Sequence, residues 1–417
     1  MIRITANFIS VKNGFNHFLD ELVKPVIFIA GRKFSHFHFW VNTGVVVGIL
    51  VIMSLTFNSG ILPSVMMELV LLVASLSLFL FKSTKIFGKS YKILNWVRGS
   101  VYHFQIVALF FSVVFLRLRH EPVFPYLDIL VIGILVSQVF GRIGCLMAGC
   151  CHGRPHTWGV CYGQKYAVTR YVYFLQKVRL FPVQLVECCW LFLLTILAIA
   201  VITNNPVPGE NVSMYIIGYG TGRFFFEFMR GDLERVYVFG FSEPQLTAIL
   251  LAVIICCLEY IGILSFHWWQ FFATSLMVTV MVILYYRSKY YQPAMHQILQ
   301  PDHILELFQT VDWLINQCLP FFKEGKEETK KTLTGLTSLG IQIGLSCFGK
   351  QINGSFLYEI SHSEVPLRRH SAKAIAKLIM HLKHSQAKYK ITETIPGVFQ
   401  LLVYVNTEIP NKVIVPI

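Results

Sequence analysis

Charge is scarce in this chain. Only 14% of its 417 residues are Asp, Glu, Lys or Arg, while 55% are hydrophobic and the mean hydropathy is +0.58. Ordinary soluble proteins carry about 25% charged residues, so a soluble globular protein is excluded and an integral membrane protein is indicated. Residues 1–35 mix charged with apolar side chains and offer no small-residue cleavage site, so they do not read as a removed signal peptide, and 1–38 is expected to be an N-terminal interfacial segment. No RNA- or DNA-binding motif accompanies the net charge of +14, which points to anionic lipid and away from nucleic acid. The ten cysteines include no paired Cys-x2-Cys hairpins of the zinc-ribbon kind.

What the chain does have is long apolar runs. Windows near 39–57, 62–81, 101–116, 126–146, 183–202, 212–229, 244–265 and 268–286 are each long enough to cross a bilayer as a helix, which takes about 20 residues. Past Arg287 the composition becomes that of a soluble domain. There the spacing predicts a helix over 302–322, a charged linker over 323–331, strands over 336–348, 355–361 and 396–405, and a helix over 368–384. The expected fold is an all-α polytopic membrane helix bundle of about eight spans, residues 39–287, followed by a small C-terminal α+β domain, residues 288–417. No catalytic motif stands out in that tail. With an even number of spans, the tail shares a membrane face with the N-terminus and with the loop after the fourth span.

That fourth span ends in Gly141-Arg142-Ile143-Gly144-Cys145-Leu146-Met147-Ala148-Gly149-Cys150-Cys151-His152-Gly153, a run of small, cationic and sulfur-bearing residues at a membrane surface. In the sixth span, Arg223, Glu227 and Arg230 are spaced by four and three and share one helix face. An ionised side chain at a helix centre costs about 2.5 to 3.5 kcal/mol on insertion scales, so this stripe must face protein, water or a polar ligand. The alternative is an internal ion pair fastening two helices. Asp128 and Gln138 on the fourth span, Gln184 and Glu187 on the fifth, and Tyr102, His103 and Gln105 on the third would add to a polar cavity. Cys188, Cys189, Cys256 and Cys257 lie within spans and read as packing. Cys145, Cys150, Cys151 and His152, with His156 and Cys161 nearby, could serve as packing, as reactive thiols or as a metal site.

These motifs resemble the prolipoprotein diacylglyceryl transferase family. The resemblance rests on Gly-Arg-x-Gly at 141–144, Pro-x-Gln-Leu-x-Glu at 182–187, and Gly-Tyr-Gly-x-x-Arg-x-x-x-Glu-Phe-x-Arg at 218–230, and it covers about residues 20–265. It implies transfer of diacylglyceryl from phosphatidylglycerol to the lipobox cysteine thiol of a precursor protein, in the bacterial cytoplasmic membrane, with no cofactor or metal. Carried across, Arg142 and Arg223 would grip the lipid phosphate, Glu227 would orient Arg223, and His103 would be the base that takes the thiol proton. Gly141, Gly144, Gly153, Gln184, Glu187 and Arg230 would line the substrate site, Gly153 by letting the headgroup close to the backbone.

The chain also departs from the family pattern. Cys145 and Ala148 replace family asparagines, Cys150 replaces a glutamate, and His103-Phe104-Gln105 stands for a histidine-glycine-glycine run. Val41 lies near the place of a tyrosine, and Phe181 takes that of a histidine. Two other readings therefore stay open. One is a diverged lipid or prenyl transferase with another acceptor, using Cys150 or Cys151 as nucleophile; the other is a non-catalytic phospholipid-binding protein. Lys and Arg concentrate before the first span and in 82–98, 149–181 and 230–243, with only Arg117 and Arg119 opposite. The positive-inside rule would turn that face to the cytoplasm. The family resemblance implies the reverse, and basic loops that bind anionic lipid would account for the count.

Overall fold

The computed structural model describes residues 2–29, 31–87, 101–163, 166, 175–204, 207–233, 236–290, 293–324, 331–347, 355–385 and 387–404. Helix α1 (Ile2–Leu22) and a hairpin of β1 (Val26–Ile29) and β2 (Arg32–Ser35) precede the bundle. The bundle comprises α2 (His36–Ser59), α3 (Pro63–Phe87), α4 (Val101–Leu118), α5 (Val123–Ala148) and α6 (Val183–Asn204). It continues with α7 (Glu210–Met214), a π-helical turn (Tyr215–Tyr219), α8 (Gly220–Glu227), α9 (Glu243–Tyr260) and α10 (Trp268–Tyr290).

Five of these helices, α2, α5, α6, α9 and α10, are long and apolar enough to cross a membrane, and α3 and α4 contribute shorter apolar stretches, Pro63–Phe79 and Tyr102–Leu118. The expected sixth span is helical but broken by the π turn. The expected seventh stops at Tyr260, where the chain turns through Gly262 at φ 78°. Leu50, Phe57, Leu71, Phe110, Phe192, Leu250 and Phe272 are exposed around the bundle. So much outward apolar surface suits lipid and not water. The chain is a multi-pass membrane protein.

Helix α5 sits at the centre because its neighbours can approach it closely. A Cβ at Gly48 of α2 would lie 2.6 Å from Ser137 Oγ, and one at Gly133 would lie 2.3 Å from Ile52 Cδ1. Small residues facing each other bring two membrane helices into backbone contact, which replaces the hydrophobic drive that lipid does not supply. At the far end of α5, Asp128 accepts the amides of Gly209 and Val212 at 2.6 and 2.9 Å and so caps α7. Asp128 and Arg142 are separated by about 21 Å of helix, so Asp128 belongs to a different polar cluster from the motif face.

On the motif face, β3 (Pro155–Cys161) pairs with β4 (Arg179–Leu180). Helix α1 is fastened to this hairpin: Asn16 donates to Thr157 O and accepts from Gly159 N, while Asp20 accepts from Cys161 N at 2.8 Å and pairs with Arg179 at 2.8 Å. A second short hairpin, β5 (Tyr237–Val238) and β6 (Phe241–Ser242), leads into α9.

The C-terminal domain holds α11 (Met295–Ile298), α12 (Pro301–Glu324), α13 (Arg369–Lys383) and five antiparallel strands in the order β10-β11-β9-β8-β7. These are β7 (Lys331–Leu336), β8 (Ile341–Cys347), β9 (Phe356–His362), β10 (Lys388–Ile395) and β11 (Val398–Tyr404). The strand expected over 336–348 divides at a turn, with Gly340 at φ 73°, into the end of β7 and all of β8. Strand β10 is absent from the sequence reading because it is a sheet edge, almost wholly exposed and without a buried alternation to betray it. The charged linker falls largely on 325–330, the turn after the fifth span on 205–206, and much of the basic 82–98 loop on 88–98, all outside the described residues.

One hydrophobic core joins these parts. Leu19 and Val23 of α1, Leu146 at the end of α5, and Val160 and Leu180 of the hairpin are buried together with Ile298, Ile304, Leu307, Ile343, Ile360 and Ile375 of the C-terminal region. The N-terminal helix, the motif hairpin and the tail thus occupy one end of the bundle.

Candidate functional site

The polar residues of three helices meet at Glu187. Pro182 precedes the first turn of α6, and Glu187 follows one turn in, with its side chain 1% exposed. Arg142 Nη2 of α5 lies 2.5 Å from Glu187 Oε1, and Arg223 Nη1 of α8 lies 3.9 Å from the same oxygen. Arg230 Nη1 lies 3.8 Å from Oε2. Arg223 pairs with Glu227 at 2.6 Å, one helical turn on, and Arg230 is held by both oxygens of Asp232 at 2.7 and 3.0 Å. Three guanidinium groups and three carboxylates are formally in balance, which is what allows them to remain charged inside the bundle.

The members differ in access. The side chain of Arg142 is 12% exposed, whereas Arg223 and Arg230 are at 3%. Beside Arg142, a Cβ built on Gly141 would meet nothing within 4 Å. Arg142 is therefore the most accessible of the three cations.

The π turn sets up the α8 side of the site. Its wider winding stacks Tyr215 on Tyr219 at 5.7 Å, and Tyr219 OH reaches 3.5 Å from Glu187 Oε1. Inserted turns of this kind are frequent at functional sites. Tyr102 of α4 packs edge-on against Tyr219 at 5.5 Å, and Gln105 accepts the Tyr215 hydroxyl at 2.8 Å. His103, one residue on, is buried with Nε2 3.3 Å from Thr247 Oγ1 of α9. Tyr102 thus packs against a tyrosine bonded to the arginine network.

The glycines have different surroundings from those the motif suggested. A Cβ at Gly153 would lie 2.4 Å from Phe181 O, to which the Gly153 amide donates at 3.1 Å, and Gly153 bridges to Arg230. What approaches Gly153 is this chain's own backbone, and that contact fixes Arg230. Gly144 faces α2, with Phe37 O 3.1 Å from its would-be Cβ. Gln184 donates to Cys150 O at 2.9 Å and so pins the start of the loop. His152 is buried with Nδ1 2.9 Å from Gly153 O. The sulfur atoms of Cys145, Cys150 and Cys151 all lie within 4.8 Å of one another, a grouping that does not include His152.

Arg154, Tyr219 and Asp232 are the members that sequence reasoning did not assign. Arg154 Nε donates to Arg230 O at 3.1 Å, and burial pushes its guanidinium down to about 10, still charged at neutral pH. Arg154 also lines a cavity of about 420 Å³ between bundle and tail, with Phe228, Leu284, Arg287, His296 and Arg368 among its walls. Asp232 was signalled only by following Arg230 at two residues, and Tyr219 by preceding Arg223 by one turn.

Residues 25–261, more than half of the chain, match the family profile described as prolipoprotein diacylglyceryl transferase, and every member of the arginine network falls within that range. The chain belongs to this family. Among its relatives, a phosphatidylglycerol–prolipoprotein diacylglyceryl transferase of Clostridium tetani is 32% identical over 138 residues, which are 33% of this chain and 53% of that protein. One of Clostridium perfringens is 34% identical over 128 residues, 30% of this chain and 47% of the relative. One of Clostridium botulinum is 28% identical over 153 residues, 35% and 56% respectively. The chain spans about half the length of the curated relatives it matches. The match covers the bundle through α9; α10 and the C-terminal domain lie outside it.

Proposed function

We propose that this chain is a transferase of the bacterial cytoplasmic membrane that moves diacylglyceryl from phosphatidylglycerol to the lipobox cysteine thiol of a precursor protein. The observation that carries the reading is the convergence of Arg142, Arg223 and Arg230 on Glu187, with Arg142 the most accessible of the three. In such a transfer the acceptor sulfur attacks the glyceryl carbon, the carbon–oxygen bond to phosphate breaks, and glycerol 1-phosphate departs. Negative charge grows on the leaving oxygen, and fixed cations in a site closed to water lower the barrier most effectively. Guanidinium suits the task because it is permanently charged and binds phosphate through two parallel hydrogen bonds.

In this scheme Arg142 receives the phosphate, and Arg223, oriented by Glu227, holds it from the other side. Glu187 keeps both guanidinium groups aligned in the resting state, and a phosphate would compete for them. Arg230 is anchored by Asp232 and by the Gly153 bridge, and Gln184 positions the loop that approaches the headgroup. Gly141 and Gly144 flank Arg142, Gly141 with open space before it. His103 is the candidate base for the thiol proton.

The test is to express the chain in cells depleted of their own transferase and to follow a lipobox peptide by mass spectrometry. A diacylglyceryl mass increment that vanishes with Arg142→Ala and Arg223→Ala is expected. Phospholipid binding with no increment in the unaltered protein would replace the reading by that of a lipid-binding protein.

A further inference from the structure

The cavity of about 420 Å³ between bundle and tail is within the range of about 300 to 1,000 Å³ in which small-molecule sites are found. Three parts of the chain wall it. Arg154 comes from just before β3, Phe228, Leu284 and Arg287 from the bundle, and residues 293–296, Leu299, Arg368 and His370 from the C-terminal region. All of these except Arg154 and Phe228 follow residue 261, so most of the cavity belongs to this chain's extension beyond the family match.

The walls divide by chemistry. Phe228, Leu284 and Pro293 offer apolar surface, whereas Arg154, Arg287 and Arg368 offer guanidinium groups, and among the described residues no carboxylate lines the space. Arg154 uses Nε on Arg230 O at 3.1 Å, and its two Nη atoms make no hydrogen bond or ion pair with the described residues. Glu227 acts on Arg154 through its charge, but it is paired with Arg223 at 2.6 Å. Arg154 is thus a buried cation short of counter-charge. His296 is lowered by burial and by the charges of Arg154 and Arg287, and its Nε2 is buried with no hydrogen-bond partner among the described residues. Tyr285, Tyr286 and Tyr290 stand exposed around Arg287 at the end of α10. Tyrosines collect at the level of lipid headgroups, which sets the height of this cavity in the membrane.

We propose that the cavity between bundle and tail binds a phosphate ester of glycerol, with the phosphate held by Arg154, Arg287 and Arg368 and the glyceryl carbons against Phe228 and Leu284. Guanidinium groups take phosphate through paired, charge-assisted hydrogen bonds. The ester is the headgroup of an acidic phospholipid or free glycerol phosphate, which present the same chemistry; the acyl chains of a lipid would stay in the bilayer beside α10. Because the three arginines come from the motif loop, the bundle and the tail, one bound phosphate fastens all three parts. Arg142, Arg223 and Glu187 are not among the walls, so binding here does not rest on the transfer reading.

The experiment uses the full-length protein, delipidated in neutral detergent and titrated with dioctanoyl phosphatidylglycerol, dioctanoyl phosphatidylcholine or glycerol 1-phosphate, with bound ligand counted by native mass spectrometry. In the unaltered chain a saturable phosphatidylglycerol component is expected that Arg287→Gln and Arg368→Gln each weaken at least about tenfold. Lys289→Gln and Arg369→Gln, exposed neighbours outside the walls, should leave it unchanged. Met295→Trp obstructs the exposed rim without removing charge and should weaken it as well. Glycerol 1-phosphate that competes for this component assigns the site to the free ester; a component that only the lipid fills assigns it to the headgroup. The site is overturned if no component responds to Arg287→Gln, Arg368→Gln or Met295→Trp, if the two neighbouring substitutions weaken binding equally, or if phosphatidylcholine binds as well. Binding that follows the expected pattern in a chain that modifies no lipobox peptide would refute the transfer reading and leave this site standing.

Discussion

Replacing Glu187 with Gln is the perturbation that most directly probes the network. The carboxylate is 1% exposed and faces guanidinium groups at 2.5, 3.8 and 3.9 Å. At an effective dielectric of about 20, the closest pair is worth about 7 kcal/mol in gross Coulomb energy and each of the others about 4. Most of that is offset by the cost of desolvating the ions, but removing one partner leaves the others buried and uncompensated. Such a loss costs about 3 to 5 kcal/mol. In purified protein, tryptophan-fluorescence melting should report a midpoint lower by roughly 10 °C. Transfer to the lipobox peptide should fall about a hundredfold, as for loss of one fixed electrostatic group. The control is Glu68→Gln, which makes the same chemical change at an exposed pair, Arg119–Glu68 at 2.6 Å. That pair should matter by less than about 1 kcal/mol. Should the two variants melt and turn over alike, the argument that Glu187 gathers the cations would be refuted.

Gly153→Ala should disturb the site, since its Cβ would fall 2.4 Å from Phe181 O; a cost of about 1 to 3 kcal/mol is expected from overpacking, read by the same melting assay. Gly141→Ala has open space, so it should raise stability by about 0.5 to 1 kcal/mol while lowering the transfer rate if substrate passes there. Asp20→Ala removes the acceptor of the Cys161 amide and the partner of Arg179, and should speed limited proteolysis of α1 with little change in the core of the bundle. Burial pushes His384 down to about 4, and its Nε2 lies 2.8 Å from Tyr358 OH. The unfolded chain, titrating near 6.5, then takes up the proton first. The stability linked to His384 is therefore complete above about pH 6.5 and lost as pH falls toward 4. The full shift corresponds to about 3 kcal/mol, reduced to about 2 by partial exposure. A tail that melts equally well at pH 7 and pH 4.5 would contradict this.

The spans were legible because apolar length alone decides them, and Pro182 and the Gly-rich end of α5 marked where two of them begin and stop. The break in the sixth span was not, since a π turn leaves no local signature. It accompanies the stacking of Tyr215 on Tyr219 and the reach of Tyr219 to Glu187, and the second contact joins residues distant in sequence. Likewise the spacing of Arg223, Glu227 and Arg230 gave a shared face, but only tertiary packing reveals Glu187 as the point where α5, α6 and α8 meet. Gly153 illustrates the converse: the sequence signalled a close approach correctly and could not say that the approaching group is Phe181 O. Strand β10 and all but the last residue of β7 escaped notice because edge strands need no buried alternation.

The shared core beneath the motif hairpin means that the tail is no detachable accessory. Ending the chain at residue 287 would strip Leu146, Val160 and Leu180 of their cover and lay bare an oily scar beside the arginine cluster. Hairpin and tail therefore share one fate on unfolding, since each supplies a wall of the same apolar interior.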